Sequence, residues 1–308
     1  MLLPSPDWLP QAPLERLHLH WLTAAGVEVA ILRLDQIDPL ISGNKWFKLL
    51  EHLKAAERAG TEGIISLGGA HSNHLHALAA AGKRLGFKTV GLLRGHPQDT
   101  ATVQDLQAFG MHLQWLGYGG YRARHEPGFW TQWQTQYPNL HPVPEGGGGL
   151  PGAQGCIAIT QQVDAQLASL GWEDFHAWWL ACGTGTTLAG LALAEDGGRS
   201  LYGALAVPDD HGVAPNIDSI LKQAGQRSAH YQLIDASRGG FAKVDPTLLA
   251  FIEHTELVSG IPLDPLYTGK ALLALKQHVD SGGFIVGTRL VFIHTGGLQG
   301  RRGFVAAP

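Results

Sequence analysis

The stretch HAWWLACGTGTTLAGLALAE, residues 176–195, reads as an apolar strand, a glycine-rich turn and a helix without interruption. An unbroken apolar run of this length fits a strand covered on both faces, as strands of parallel sheets are. The same grammar recurs outward from it. Upstream, IISLG ends in a glycine loop, an Ala/Leu-rich helix follows from about Asn73 to Leu85, and then come strand KTVGLL, helix TVQDLQAFG and strand HLQWL. Downstream, LYGALAV and RLVFIHT read as further strands, the last ending at Gly296-Gly297. Repeated alternation of strand and helix predicts an α/β protein with two open, mostly parallel twisted sheets and helices on both faces. EGGGGLPG, at 145–152, reads as a loop between the two blocks. A cleft is expected where the strand C-terminal ends face each other, the usual ligand site of open α/β sheets.

Composition narrows the function classes. The 308 residues are 44% apolar and 16% charged, enough for a large core and two subdomains. Lys and Arg number 22 against 26 Asp and Glu, and no segment gathers the basic residues into a track for phosphates, so nucleic acid is not an expected partner. No run approaches the roughly 20 apolar residues that span a bilayer. Two cysteines, Cys156 and Cys182, are too few for a disulfide framework, and MLLPSPDWLP lacks the features of an export signal, so a cytoplasmic protein is expected.

Four loops could carry chemistry. In ISGNKWFKLLEHL, residues 41–53, Ser42-Gly43-Asn44 turns into a helix with Leu49, Leu50 and Leu53 as its expected buried face, and Lys45 falls in the first turn. The positive end of the helix dipole and Lys48, a second charge on the neighbouring surface, both lower the basicity of Lys45, which suits a nucleophilic amine; two solvated lysines on a surface helix are the plainer account. In SLGGAHSNHLHAL, residues 66–78, Ser72 and Asn73 sit at a helix start, where amides and a hydroxyl suit a carboxylate, although an ordinary N-cap is the commoner use. His71, His74 and His76 raise a metal reading, but no HExxH motif, paired cysteines or nearby carboxylate supports it, and they are expected to line the cleft or the surface. Gly183 to Thr187 offers free amides, hydroxyls and a helix N-terminus to an anion; with no Lys or Arg in the loop the cradle is neutral and suits a small phosphate monoester. A P-loop is excluded, and a dinucleotide fingerprint competes poorly because its third glycine comes late, at Gly190, with no acid about 20 residues on. In PLDPLYTGKALLAL, Tyr267 and Thr268 close a loop and Lys270 enters a helix, which on its own is also a simple helix start with a packed tyrosine.

Together and in order, Gly43-Asn44-Lys45 with Lys48-Leu49, Gly68-Gly69 with Ser72-Asn73-His74, Gly183 to Thr187, and Asp264-Pro265 with Tyr267-Thr268-Gly269-Lys270 resemble the fold type II pyridoxal-phosphate enzymes. Within them the resemblance is to the 1-aminocyclopropane-1-carboxylate deaminase and D-cysteine desulfhydrase group, from about Arg33 to Gly297. It implies pyridoxal 5'-phosphate held covalently on Lys45, with Asn73 at the cofactor's phenolic oxygen. Gly183, Thr184, Gly185, Thr186 and Thr187 would hold its phosphate and Thr268 would face its ring nitrogen. It implies substrate contacts from Ser72, His74, Tyr267 and Thr295, with Ser72 and Tyr267 joining Lys45 in catalysis, no metal, and a homodimer. The cofactor would lie between a large domain of residues 1–50 and 156–308 and a small one of residues 51–155.

Deaminases of the cyclopropane substrate typically carry Glu and Leu where this chain has Thr268 and Thr295, a pattern that looks like the D-cysteine desulfhydrases. A hydroxyl at the ring nitrogen makes a weaker electron sink and favours elimination over transamination or racemisation. The expected reaction is removal of the α-proton by Lys45, departure of the β-substituent and hydrolysis, giving pyruvate, ammonia and, from D-cysteine, hydrogen sulfide. One departure stands out: Phe241 occupies the segment in which both activities usually have a second tyrosine. Cyclopropane ring opening to 2-oxobutyrate is the alternative activity; a nicotinamide oxidoreductase and a non-catalytic pyridoxal-phosphate-binding protein are the alternatives of another class. The small amino-acid substrate is inferred from the absence of an evident charged clamp.

Overall fold

Ala177 to Cys182 are buried at every position, and this strand pairs in parallel on both sides. Its neighbours build a six-stranded sheet. The computed structural model describes residues 9–226, 230–240 and 242–303. The strands are β1 (Leu14–Arg16), β2 (Glu28–Arg33), β3 (Gly63–Gly68), β4 (Lys88–Leu93), β5 (His112–Trp115), β6 (Leu140–Pro142), β7 (Ala177–Cys182), β8 (Ser200–Leu205), β9 (Tyr231–Asp235) and β10 (Arg289–His294). The helices are α1 (His20–Ala25), α2 (Asn44–Arg58), α3 (Asn73–Leu85), α4 (Ala101–Ala108), α5 (Gly117–Arg122), α6 (Phe129–Gln136), α7 (Gly149–Asp164), α8 (Thr186–Glu195), α9 (Val213–Gln223), α10 (Pro246–Ser259) and α11 (Thr268–Asp280).

The larger sheet has the order β1-β2-β10-β7-β8-β9 and the smaller β5-β4-β3-β6. Every pairing is parallel except β1 with β2. The expected α/β class with two mostly parallel sheets is therefore the observed one. Because the strands run the same way, the loops after β7, β9 and β10 emerge at one edge of the larger sheet, and those after β3, β4 and β6 at one edge of the smaller. Among the described residues no helix is long and apolar enough to cross a membrane.

The two expected domain boundaries, at 50/51 and 155/156, fall inside α2 and α7, and these two helices pack on each other. Gly155 permits that packing: a Cβ there would lie 2.0 Å from the Phe47 carbonyl oxygen. EGGGGLPG is only partly a loop, since α7 begins at Gly149 within it. Pro151 falls in the first helical turn, where a missing N–H costs nothing, and the close approach to α2 outweighs the poor helix propensity of glycine. On α2 the buried face is Trp46, Phe47, Leu49, Leu53 and Ala56; Leu50, expected among them, is half-buried.

Candidate active site

The start of α2 is stitched to the end of β10. Gly43 holds φ +69°, in the left-handed region, and a Cβ on it would lie 2.0 Å from the Thr295 carbonyl oxygen. That oxygen accepts the Asn44 amide N–H at 3.2 Å, which fixes Lys45 at the C-terminal edge of the larger sheet. Lys45 Nζ donates to Asn44 Oδ1 at 3.0 Å, and Asn44 Nδ2 donates to Thr187 Oγ1 at 2.9 Å. The lysine is thereby tied to the turn that opens α8. Burial above all, and then the Lys48 ammonium, hold the pKa of Lys45 well below the ordinary lysine value. The direction is the one the sequence predicts; the leading cause is desolvation, which a position in the sequence does not reveal.

Lys48 is not on the surface as expected: it is 4% exposed, and its Nζ donates to Thr184 Oγ1 at 3.3 Å. The anion cradle is therefore not neutral, because a cation enters it from α2. Around it, Thr184 Oγ1 lies 3.0 Å from Thr186 Oγ1, and Asn216 Nδ2 fixes the Thr184 carbonyl at 2.6 Å. Gly183 and Gly185 flank Thr184, with Gly185 as the residue that caps α8 at φ +76°. The first amides of α8 have no acceptor inside the helix and remain for an anion.

On the smaller sheet, Ser72 is the N-cap of α3 and accepts the Leu75 amide at 3.2 Å; its hydroxyl hydrogen remains available to a ligand. Asn73 Oδ1 accepts from Gln299 Nε2 at 3.0 Å, and its Nδ2 lies beside Gly297, 2.9 Å from where a Cβ would stand. Of the three histidines expected at the cleft or surface, His71 is exposed, whereas His74 and His76 are buried at 2% and 3% exposure. His76 pairs with Asp105 at 3.1 Å. Ser66 Oγ donates to the Val143 carbonyl at 2.8 Å and so receives the His74 Nε2 proton at 2.7 Å. His74 Nδ1 is then a buried acceptor without a partner among the described residues, next to Gly147 and Lys48. Burial first, then the charges of Lys45, His52 and Lys48, keep this imidazole neutral.

Tyr267 ends the loop before α11, and its ring lies against Gly183, 3.0 Å from where a Cβ would be. Burial, followed by the carboxylates of Asp264 and Glu145, raises the pKa of its phenol. Asp264 shapes this corner. Its carboxylate accepts from the amides of Leu266 at 2.9 Å, Tyr267 at 2.7 Å and Thr268 at 2.9 Å, and from Thr268 Oγ1 at 2.6 Å. The Thr268 hydroxyl hydrogen, expected to face the cofactor, is thus committed to Asp264. Thr295 stands where β10 meets α2, at 8% exposure.

A further polar cluster escaped the sequence reading. Tyr121 Oη donates to Glu145 Oε1 at 2.6 Å, and Arg124 Nε donates to Glu145 Oε2 at 2.7 Å. Glu145 precedes the glycines that touch Thr184 and Lys48. The signal was a carboxylate directly ahead of the glycine run, but its partners lie more than 20 residues away. Phe241 lies outside the described residues.

The residues present suit pyridoxal phosphate. A poorly basic lysine lies beside a hydroxyl-lined turn that the Lys48 ammonium enters, and a side chain at Gly147 would crowd both Lys48 and His74, 3.2 and 3.3 Å away. Fold and site define an α/β protein with a poorly basic amine at the edge of a parallel sheet, beside a helix start that can take an anion. The chain belongs to the pyridoxal-phosphate-dependent enzyme family, whose model matches residues 9–296, and its cofactor is pyridoxal phosphate. This removes the nicotinamide alternative. Among its relatives, a putative 1-aminocyclopropane-1-carboxylate deaminase of Pyrococcus horikoshii is 27% identical, covering 89% of this chain and 86% of the relative. A D-cysteine desulfhydrase of Klebsiella pneumoniae is also 27% identical, covering 88% and 87%. The crystal structure of an ACC deaminase homologue shares the fold with a TM-score of 0.82 at 24% identity, over 97% of this chain and 95% of the other. The protein is therefore a pyridoxal-phosphate-dependent enzyme.

Proposed function

We propose that the protein catalyses β-elimination from a small amino acid, D-cysteine foremost, giving pyruvate, ammonia and hydrogen sulfide. One observation carries the choice of elimination. The carboxylate in the corner of Thr268 and Thr295 is Asp264, and four donors from its own loop already engage it. The ring nitrogen would then meet a hydroxyl rather than an acid, which disfavours transamination and racemisation. Because the Thr268 hydroxyl is committed, we assign that contact to Thr295 and give Thr268 the role of bracing the loop.

Pyridoxal phosphate, when bound, supplies the electron sink that lets a proton leave the α-carbon and a substituent leave the β-carbon. Lys45 would hold it covalently and, once exchanged for the substrate amine, take the α-proton on Nζ; burial and the Lys48 charge favour its neutral amine form over the ammonium. The amides and hydroxyls of Gly183 to Thr187, with Lys48, would hold the phosphate, and Asn73 Nδ2 the phenolic oxygen. The Ser72 hydroxyl and the first amides of α3 would bind the substrate carboxylate. The Tyr267 phenol, kept protonated by its surroundings, would face the leaving group and can donate a proton to it. His74, expected at the substrate, is better placed as a support behind Gly147 and Lys48.

The large domain of residues 1–50 and 156–308 and the small one of residues 51–155 remain our proposed division about the cleft. A homodimer and a cytoplasmic location complete the proposal; the exposed Leu257, Ile285 and Val286 offer apolar surface, and both cysteines are buried and unpaired. The test is the visible spectrum of the purified protein before and after D-cysteine, L-cysteine, D-serine and 1-aminocyclopropane-1-carboxylate, with pyruvate, 2-oxobutyrate and sulfide assayed in parallel. Pyruvate and sulfide from D-cysteine are the expected products. Production of 2-oxobutyrate from the cyclopropane substrate alone would replace elimination by ring opening, and a cofactor band without any turnover would leave a non-catalytic binding protein.

A further inference from the structure

Lys270 is a buried cation that none of the steps above uses. It lies on α11 one turn beyond Tyr267, is 1% exposed, and its Nζ donates to the carbonyls of Ser237 and Gly240, each at 2.9 Å. Both carbonyls already close turns: Ser237 O accepts the Gly240 amide at 3.1 Å and Gly240 O accepts the Lys243 amide at 3.2 Å. A single ammonium therefore gathers two successive turns of the segment that follows β9. A cavity of about 150 Å³, bounded by Asp235, Arg238, Lys270, Leu273 and Gln277, lies behind it. Arg238 holds φ +55°, a conformation that an L residue keeps only when its surroundings impose it.

An apolar residue would fill the interior of α11 more cheaply than an ammonium, whose burial is tolerated only where it is hydrogen-bonded. Lys270 is thus placed for the carbonyls it binds. The segment leaves the sheet at the same edge as Gly183–Thr187 and Thr295, and α11 connects it to Tyr267 within one helical turn.

We propose that Lys270 is a positioning residue: its ammonium clamps residues 237–240 as a wall of the substrate pocket beside Tyr267 and so sets how well the substrate side chain is held. The proposal rests on the reading of this cleft as the pyridoxal-phosphate site. In the holoenzyme, Lys270→Met should keep the visible absorbance of the bound cofactor. The amide hydrogens of Gly239 and Gly240 should exchange at least tenfold faster, and KM for the amino acid turned over should rise about tenfold with a smaller change in kcat. Lys270→Gln, which keeps two N–H donors without the charge, should fall between wild type and Met. In Lys270→Ala, methylammonium or ethylammonium at millimolar concentration should enter the enlarged cavity and restore the exchange protection.

Exchange at Gly239 and Gly240 unchanged in both the Met and Gln variants would overturn the proposal. So would KM within twofold of wild type while exchange rises, because the segment would then be no part of the pocket. Failure of Lys270→Met to fold, with Lys270→Ala refractory to amines and Lys270→Gln like wild type, would also overturn it. Exchange is read without turnover, so failure of D-cysteine as substrate leaves this test intact.

Discussion

Substituting Lys48 by methionine separates the two tasks proposed for this residue, holding the cofactor phosphate and lowering the basicity of Lys45. The side chain is 4% exposed and donates to Thr184 Oγ1 at 3.3 Å, and methionine is close to it in length and volume, so packing is conserved. Losing one hydrogen bond from a charged donor to the cofactor phosphate costs about 1.5–3 kcal/mol. At about 1.4 kcal/mol per factor of ten, affinity for pyridoxal phosphate should fall roughly 10- to 150-fold. Pyridoxal, which lacks the phosphate, should not suffer this loss. The second task has a sign: the Lys48 charge depresses the pKa of Lys45, so removing it raises that pKa, and the pH above which Lys45 reacts moves up. Titrating apoprotein with each compound at pH 7 and pH 9 distinguishes the two, because the shift of Lys45 fades at the higher pH whereas the phosphate contact does not. The thermal midpoint of the apoprotein should hold or rise, since an enclosed like charge has gone. Equal losses for pyridoxal and pyridoxal phosphate at both pH values would refute the reasoning and leave Lys48 a packing residue.

Lys45→Ala should abolish both the visible absorbance of the covalently held cofactor and all turnover, with an unchanged far-ultraviolet circular dichroism spectrum; a retained band would sink the assignment. His52 is 3% exposed, shares its Nε2 with the Gly148 carbonyl at 3.0 Å, and is brought to about 4 chiefly by burial. The unfolded chain takes up that proton near the ordinary 6.5 and the folded one does not, so stability is fully present above pH 6.5 and declines by roughly 3 kcal/mol as pH falls to 4. Denaturation midpoints at pH 7 and pH 4.5 should differ less in His52→Gln, which keeps an N–H donor but does not titrate. Gly43→Ala should lower stability to denaturant by at least about 2 kcal/mol, from a left-handed φ and a clash with the Thr295 carbonyl. An unchanged midpoint in that variant would mean that the junction of α2 and β10 gives way easily.

The local pattern alone determined much of this protein. The apolar runs that became β3, β4, β7 and β10, and the caps and glycine turns that opened α3 and α8, are readable because a covered strand and an amphipathic helix write their environment into consecutive side chains. The four loops, taken in order, pointed to the cofactor through their resemblance to the pyridoxal-phosphate enzymes, a resemblance carried by motifs a few residues long. What the sequence left undecided depends on partners far along the chain. The glycine run after Glu145 resembled a loop until Gly155 was seen against Phe47, an approach that only the crossing of α2 and α7 creates. Lys48 resembled a surface charge because nothing near it in sequence announces Thr184, 136 residues away. Thr268 is expected at the ring nitrogen from its motif, and only the fold shows that its hydroxyl also donates to Asp264. Burial, and with it the basicity of Lys45, is a property of everything packed around a residue. Residue type and spacing determine which groups can act; the tertiary structure decides which of them are desolvated, paired and held within reach of one another.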